Sequence, residues 1–162
     1  PVCTEDRWPL MGVDLKPWRQ NGGPIVVLLS RGIGEPGIAQ PRDWAGRVER
    51  ELRRRTNRPV VIRPHPGDSH APIEKAIAGA HAVVTWASGA AVKAIAAGVP
   101  AFHGLAGWIG AGAARPLEHD LEDPFLGDRL PMFRRLAWAQ FTAAEIATGE
   151  PLRCLLTPPS TR

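Results

Sequence analysis

Residues 59–102 alternate short apolar runs with helical patterns, and this alternation constrains the fold more than any other feature of the chain. The apolar runs that predict strands are 59–63, 82–87 and 99–104. Pro72 suits the first turn of a helix, and Ser88 can cap a second helix that Gly98 ends in a left-handed conformation. Strands that alternate with helices across short connections form parallel sheets with right-handed crossovers.

The segment before this stretch extends the same pattern. A continuous apolar run at 25–30 predicts a buried parallel strand. A glycine-rich loop follows it at 31–40, and an amphipathic helix is predicted over 41–55.

The C-terminal part of the chain is predicted to be helical. After a Gly/Ala-rich loop or short helix at 104–116, a helix is predicted over 131–140. Thr142 and Glu145 have capping-box spacing for a second, short helix. We therefore predict an α/β fold with a Rossmann-like open parallel sheet, helices on both faces, and the C-terminal helices packed on it. The predicted boundaries are an irregular lead-in at 1–24, a single domain at 25–150 and a flexible tail at 151–162.

Composition restricts the class of protein. Of the 162 residues, 44% are hydrophobic and 22% are charged, which fits a globular chain rather than a disordered one. No apolar run approaches the ~18 residues of a membrane span, and no signal-peptide pattern opens the chain. Cys3 and Cys154 lie far apart, so they predict neither a zinc site nor a disulfide framework, and we predict a cytoplasmic location.

The net charge of +4 suits an anionic partner such as a nucleotide and leaves nucleic acid open. The densest basic run, at 49–58, begins with acidic residues and lies on a predicted helix. A solvated helix face is the favoured interpretation, and a nucleic-acid patch is the alternative.

The RPHPG motif at 63–67 predicts a rigid histidine at the carboxyl end of a strand. Arg63 leaves the strand, and Pro64 and Pro66 fix the backbone around His65. An imidazole held in this way can donate to a phosphate or act as a general acid or base. A turn histidine that bonds local carbonyl groups is the alternative, and the motif alone does not decide between them.

The WASGA motif at 86–90 begins a helix whose start suits an anion. Free backbone N–H groups and the helix dipole favour negative charge there, and the missing Cβ of Gly89 lets a phosphate approach closely. Ser88, Gly89 and Ala90 are the predicted phosphate ligands. Taken alone, Ser88 is better explained as an ordinary N-cap. The second motif on what we expect to be the adjacent strand strengthens the phosphate interpretation, because ligands of open α/β sheets bind at the carboxyl ends of the strands.

Four further residues are weaker candidates. Gly32 and Gly34 follow the first predicted strand and could face the same cleft, although their loop lacks the spacing of known phosphate loops. Glu118 and His119 form an acid/base cluster for which a solvated loop is the alternative.

Metal binding is not predicted. His65 shares one turn with Asp68 and His70, but no fourth ligand is in view. No resident cofactor is predicted either.

The order of these motifs resembles the C-terminal, nucleotide-binding half of GT-B glycosyltransferase-like proteins. The pattern is similar to that of the capsule and polysialic acid transferases and the CDP-glycerol glycerophosphotransferases. It consists of RPHP at a strand end, a serine turn after the next strand, and a helix that ends in GVP at 98–100. The segment 136–150 also resembles uncharacterised proteins of tailed phages, which would place the chain in a host cytoplasm.

The resemblance implies a nucleotide-sugar or nucleotide-alcohol donor, UDP-, CMP- or CDP-linked, and transfer to a hydroxyl acceptor. His65 would be the catalytic residue that stabilises the leaving phosphate, and Arg63 would add a contact. Ser88 matches the first serine of the family's Ser-Ser motif, whereas Gly89 replaces the second and puts that hydroxyl contact in doubt.

The family's acceptor site and usual base lie in an N-terminal half that has no counterpart in residues 1–24. Three explanations stay open. The chain is a fragment, a second domain, subunit or homodimer completes the cleft, or the protein is a non-catalytic nucleotide-binding or sequestering module. A nucleic-acid-associated protein that uses the 49–58 helix is a further alternative.

Overall fold

The computed structural model describes residues 6–65 and 72–156, which divide into two compact units. The described residues of the sheet unit fall within Asp14–Gly127, and those of the helical unit fall within Pro1–Val13 and Asp128–Arg162. The predicted single domain over 25–150 therefore has different boundaries. Residues 14–24 belong to the sheet unit because their backbone is bonded to it: the N–H groups of Lys16 and Arg19 donate to the carbonyls of Ala96 and Gly98.

Five parallel strands form the sheet, in the order β2-β1-β3-β4-β5. They are β1 Ile25–Leu28, β2 Val60–Arg63, β3 Ala82–Thr85, β4 Ala101–His103 and β5 Arg115–Pro116. This confirms the predicted α/β fold with an open parallel sheet. The fifth strand lies in the segment predicted as a loop or short helix, and its two residues are too few to produce an alternating pattern.

The strand order places helices on both faces of the sheet. The chain moves from β1 outward to β2 through α1 (Trp44–Arg55), and back across β1 to β3 through α2 (Ile73–Ile77). Right-handed crossovers in opposite directions put these two helices on opposite faces. The third helix, α3 (Gly89–Ala96), connects β3 to β4 in the same direction as α2 and so lies on the face of α2.

The core on the α1 face explains the amphipathic pattern of that helix. Trp44, Val48 and Leu52 recur at four-residue spacing and are all buried. They pack with alternate residues of three strands, Ile25, Val27, Ala82, Val84 and Phe102. Register pairs such as Val27 with Val84, and Val84 with Phe102, align these side chains on one face.

Three of the five arginines in the basic run at 49–58 pair with carboxylates of the protein. Arg53 and Arg55 bond Glu49 and Glu51 one helical turn earlier. Arg58 binds both carboxylate oxygens of Glu122, at 2.9 and 2.6 Å. These pairs favour the solvated helix face over a nucleic-acid patch.

The helical unit contains α4 (Leu130–Trp138), α5 (Ala143–Ala147) and α6 (Glu150–Leu156), with a 3₁₀ turn at Trp8–Met11. The predicted capping box is present, since the Thr142 hydroxyl accepts from the Glu145 N–H and the Glu145 carboxylate accepts from the Thr142 N–H. Residues 151–156 belong to α6, so the prediction of a flexible tail is wrong for them. Among the described helices, none is long and apolar enough to cross a membrane.

Cys154 is buried in α6 and disulfide-bonded. The prediction that the cysteines form no disulfide is therefore wrong, and Cys3 lies outside the described residues. Wide sequence separation gives no spacing signal from which the bond could be predicted. Since disulfides persist in oxidising compartments, the cysteines no longer support a cytoplasmic location, which stays a prediction.

Acid is expected to weaken the helical unit through Glu145. The Arg7 guanidinium, 3% exposed, donates to both carboxylate oxygens at 2.9 and 3.0 Å. These bonds, helped by the Thr142 N–H, lower the pKa of Glu145 from 4.5 to about 2. Because the folded-state pKa lies below the unfolded one, this stabilisation is complete above pH 4.5 and is lost as the pH falls from 4.5 toward 2.

Thermal melting of the wild type and Glu145→Gln at pH 6 and pH 3 measures this effect. On acidification, the melting temperature of the wild type should fall further than that of the variant, because the variant lacks the titrating group. Equal losses in the two proteins would exclude Glu145 as a source of acid sensitivity.

Candidate functional site

The carboxyl ends of the strands meet at one edge of the sheet, and the strand order reverses at its centre. The chain leaves β1 toward β2 and then returns to place β3 on the other side of β1. Open α/β sheets of this 2-1-3-4-5 order bind ligands at the β1/β3 switch point. The expectation that the RPHPG and WASGA turns follow adjacent strands is wrong, because β1 lies between β2 and β3. The loop after β1 therefore enters the candidate site between them.

A buried hydroxyl connects β1, β3 and α3 at the switch point. Thr85, the last residue of β3, is 0% exposed. Its Oγ1 donates to the Leu28 carbonyl at 3.1 Å and accepts from the Ser88 N–H at 2.9 Å. These two bonds fix the start of α3 relative to the end of β1.

Ser88 is the N-cap of α3, and one backbone N–H at the start of this helix remains without a partner among the described residues. The Ser88 Oγ accepts from the Ala90 N–H at 3.2 Å, so the cap already uses a donor predicted to bind phosphate. The Ala91 N–H donates to the Ser88 carbonyl. Among the described residues, the Gly89 N–H has no partner, and a Cβ at Gly89 would meet nothing within 4 Å. Gly89 and the Ser88 hydroxyl are therefore the groups at this turn that can still donate to an anion.

The RPHPG turn brings positive charge to the same edge. Arg63 ends β2, and both Arg63 and His65 are half-buried. The Arg31 Nε, from the loop after β1, donates to the His65 Nδ1 at 3.5 Å. Nothing in the sequence indicated Arg31, because its proximity to His65 arises only when β1 and β2 pair. The rest of the motif, from residue 66, lies outside the described residues, together with Asp68 and His70.

The glycine-rich loop after β1 is exposed and connected to the exit of β3. Gly32 and Gly34 have φ angles of +67° and +139°, which L side chains rarely adopt. The Trp86 Nε1–H donates to the Ile38 carbonyl at 2.8 Å and joins this loop to the WASGA turn. The loop of Gly32 and Gly34 is thus attached to the WASGA turn, and the role of the two glycines in the cleft stays a prediction.

Glu118 and His119 lie close together in sequence but serve different parts of the unit. Burial lowers the pKa of His103, and the charge of the Glu118 carboxylate partly opposes this shift, so Glu118 acts electrostatically at the end of β4. The His119 carbonyl instead accepts from Arg55 in the last turn of α1, and Arg55 also donates to the Leu117 carbonyl. These contacts involve the backbone of His119 and give its imidazole no role in the candidate site.

His103 is a further candidate residue at the carboxyl edge of the sheet, and sequence reasoning missed it. It is the last residue of β4, is 5% exposed, and its register partner is Thr85. Burial lowers its pKa, opposed by the bond to the Leu105 carbonyl and by Glu118. Its position at the end of an apolar run was the available signal, since carboxyl ends of parallel strands hold ligand contacts.

Within residues 6–65 and 72–156, no three histidine, cysteine or acidic side chains are grouped as metal ligands would be.

No protein-family model, curated protein or solved structure matches this chain.

Proposed function

We propose that the carboxyl edge of the sheet binds the phosphate end of a nucleotide-linked donor and supports transfer of the linked group to a hydroxyl acceptor. The observation that carries this proposal is the exposed start of α3 at the β1/β3 switch point, with the unpartnered Gly89 N–H in front of open space. Backbone N–H groups at such a helix start favour phosphate.

Cationic side chains at the same edge of the sheet support an anionic ligand. Arg31 and Arg63 come from the ends of β1 and β2, and His65 lies beside Arg31. Guanidinium groups bind phosphate oxygens through charge-assisted hydrogen bonds. In the proposed site these groups and the Ser88 hydroxyl hold the phosphates, and His65 stabilises the charge that develops on the leaving phosphate.

A thermal-shift screen with UDP-glucose, CDP-glycerol, a CMP-linked sugar and GDP-mannose tests donor binding. A donor present at about 100 times its Kd stabilises the folded protein by roughly 2.7 kcal/mol. We expect one donor class to stabilise the wild type and His65→Ala to lose that stabilisation. Stabilisation by none of the donors would refute the proposal, whereas binding without release of nucleotide in the presence of alcohols would support the non-catalytic alternative.

Replacing Gly89 with alanine is expected to weaken donor binding without harming the fold. The added Cβ meets no atom within 4 Å, and alanine is the better helix former, so stability should stay equal or rise. The methyl group occupies the space through which a phosphate reaches the Gly89 N–H. Loss of one charge-assisted hydrogen bond, about 1.5–3 kcal/mol, corresponds to at least a tenfold rise in Kd.

Gly79→Ala is the matched control for this prediction. A Cβ at Gly79 also meets nothing within 4 Å, but Gly79 lies between α2 and the start of β3, at the opposite edge of the sheet. Calorimetric titration of both variants should show weaker binding only for Gly89→Ala. Equal affinities in the two variants would place the phosphate elsewhere.

A further inference from the structure

The end of β4 carries an imidazole whose proton position is set by the backbone. The His103 Nδ1 lies 2.9 Å from the Leu105 carbonyl oxygen, and only a protonated nitrogen can donate to a carbonyl. In the neutral ring, Nε2 therefore carries the lone pair. Among the described residues, Nε2 has no hydrogen-bond partner.

Burial favours the neutral form of this imidazole. Transfer out of water lowers the pKa of His103, while the bond to Leu105 and the charge of Glu118 act in the opposite direction. A neutral ring with one fixed proton and one open lone pair is the state in which histidine accepts a proton.

An unpartnered donor lies beside the imidazole. The rings of His103 and Trp108 have centroids 5.7 Å apart, and Trp108 is 5% exposed. Its Nε1–H is buried and has no hydrogen-bond partner among the described residues. A buried donor left unpaired is destabilising, so a polar ligand group that bonded it would be stabilised there.

Close packing holds the indole in place. A Cβ at Gly110 would lie 2.5 Å from the Trp108 ring, so the backbone of Gly110 is in direct contact with it. A hydroxyl group can accept from an N–H and donate to a nitrogen, so it is the group whose chemistry would satisfy both ring atoms.

The pair lies beside the proposed phosphate site. His103 and Thr85 are register partners on neighbouring strands, so their side chains share one face of the sheet. The Thr85 hydroxyl bonds the Ser88 N–H at the start of α3. His103 is therefore one strand away from the turn that would hold the donor phosphate.

We propose that His103 and Trp108 form a hydroxyl-binding subsite in which His103 is the general base for transfer to an alcohol acceptor. This inference rests on the proposed function. The acceptor hydroxyl donates its proton to the His103 Nε2 while its oxygen bonds the anomeric carbon or phosphorus of the donor. The bond from that atom to the leaving phosphate oxygen breaks, and the electron pair stays on the leaving nucleotide phosphate.

Conservative variants separate a base from a packing residue. His103→Gln keeps an acceptor near the position of Nε2 but cannot take a full proton, whereas His103→Phe removes both functions. With glycerol as the probe acceptor and a donor from the screen, nucleotide release by His103→Gln is expected to fall by about 10²-fold or more at unchanged donor affinity.

The wild-type rate should fall as the pH drops through the lowered pKa of His103, and the variant should lack this dependence. Unchanged turnover and pH dependence in His103→Gln, at intact donor binding, would overturn the inference and leave the proposed function standing.

Hydroxyl binding has a second readout that needs no donor. In ¹H–¹⁵N spectra, glycerol should shift the Trp108 indole signal saturably, and the signal is assigned by its loss in Trp108→Phe. The indole of Trp138, which is 44% exposed in the helical unit, serves as the internal control. A Trp108 signal that moves no more than that of Trp138 would overturn the hydroxyl subsite whether or not a donor binds.

Discussion

Gly98→Ala is expected to destabilise the sheet unit by about 4 kcal/mol or more, at the upper end of single substitutions. Gly98 follows α3 with a φ of +84°, and an added Cβ would lie 2.0 Å from the Pro17 carbonyl oxygen. The clashing oxygen belongs to the backbone of Pro17, so no side-chain rotation can relieve the contact. The Gly98 carbonyl also accepts from the Arg19 N–H at 2.7 Å. The chain can therefore remove the clash only by breaking the contact between the lead-in and the end of α3.

Gly37→Ala is the control that separates the cost of the steric clash from the cost of the left-handed backbone conformation. Gly37 has nearly the same φ, +86°, in the same unit, but its Cβ would meet nothing within 4 Å. Only the left-handed conformation is penalised there, by about 1–2 kcal/mol. Urea denaturation of both variants gives the two free energies of unfolding. Similar losses would mean that residues 14–24 move aside easily and do not belong to the cooperative sheet unit.

Thr85→Val is expected to cost about 2–3 kcal/mol, because it leaves two buried backbone groups without their partners. Valine has nearly the shape of threonine but cannot accept from the Ser88 N–H or donate to the Leu28 carbonyl. The side chain is fully buried, so water cannot replace these bonds without opening the structure. Because the hydroxyl fixes the start of α3, donor affinity should fall together with stability.

Thr85→Ser is the control, since it keeps the hydroxyl and removes one methyl group. Its loss of stability should be about 1 kcal/mol, as for a deleted buried methyl or methylene group, and its donor affinity should stay close to that of the wild type. If Thr85→Val and Thr85→Ser lose the same free energy of unfolding, the two hydrogen bonds contribute nothing measurable.

The local features of this fold could be predicted from the sequence because each depends on neighbouring residues. The buried positions of α1 follow from four-residue spacing, and the ends of α3 follow from Ser88 and the left-handed Gly98. The Thr142 capping box was predicted from two residues three positions apart. In each case the residues that determine the feature lie close together in the sequence, within one helix or one turn.

The features that the sequence did not reveal all depend on pairing between distant segments. Strand β5 exists only because Arg115 and Pro116 pair with β4, and the disulfide of Cys154 carries no local pattern. Arg31 became a candidate only once β1 lay beside β2, since its position in the loop has no motif of its own.

The sequence by itself determined the class of the fold and the start of α3 at Ser88, because strand runs, caps and glycine turns are encoded locally. Only the tertiary structure decided that β1 separates the two polar turns and that His103 stands one strand from Ser88. Strand order is set by how the helices cover the two faces of the sheet, and that balance of burial involves the whole unit at once.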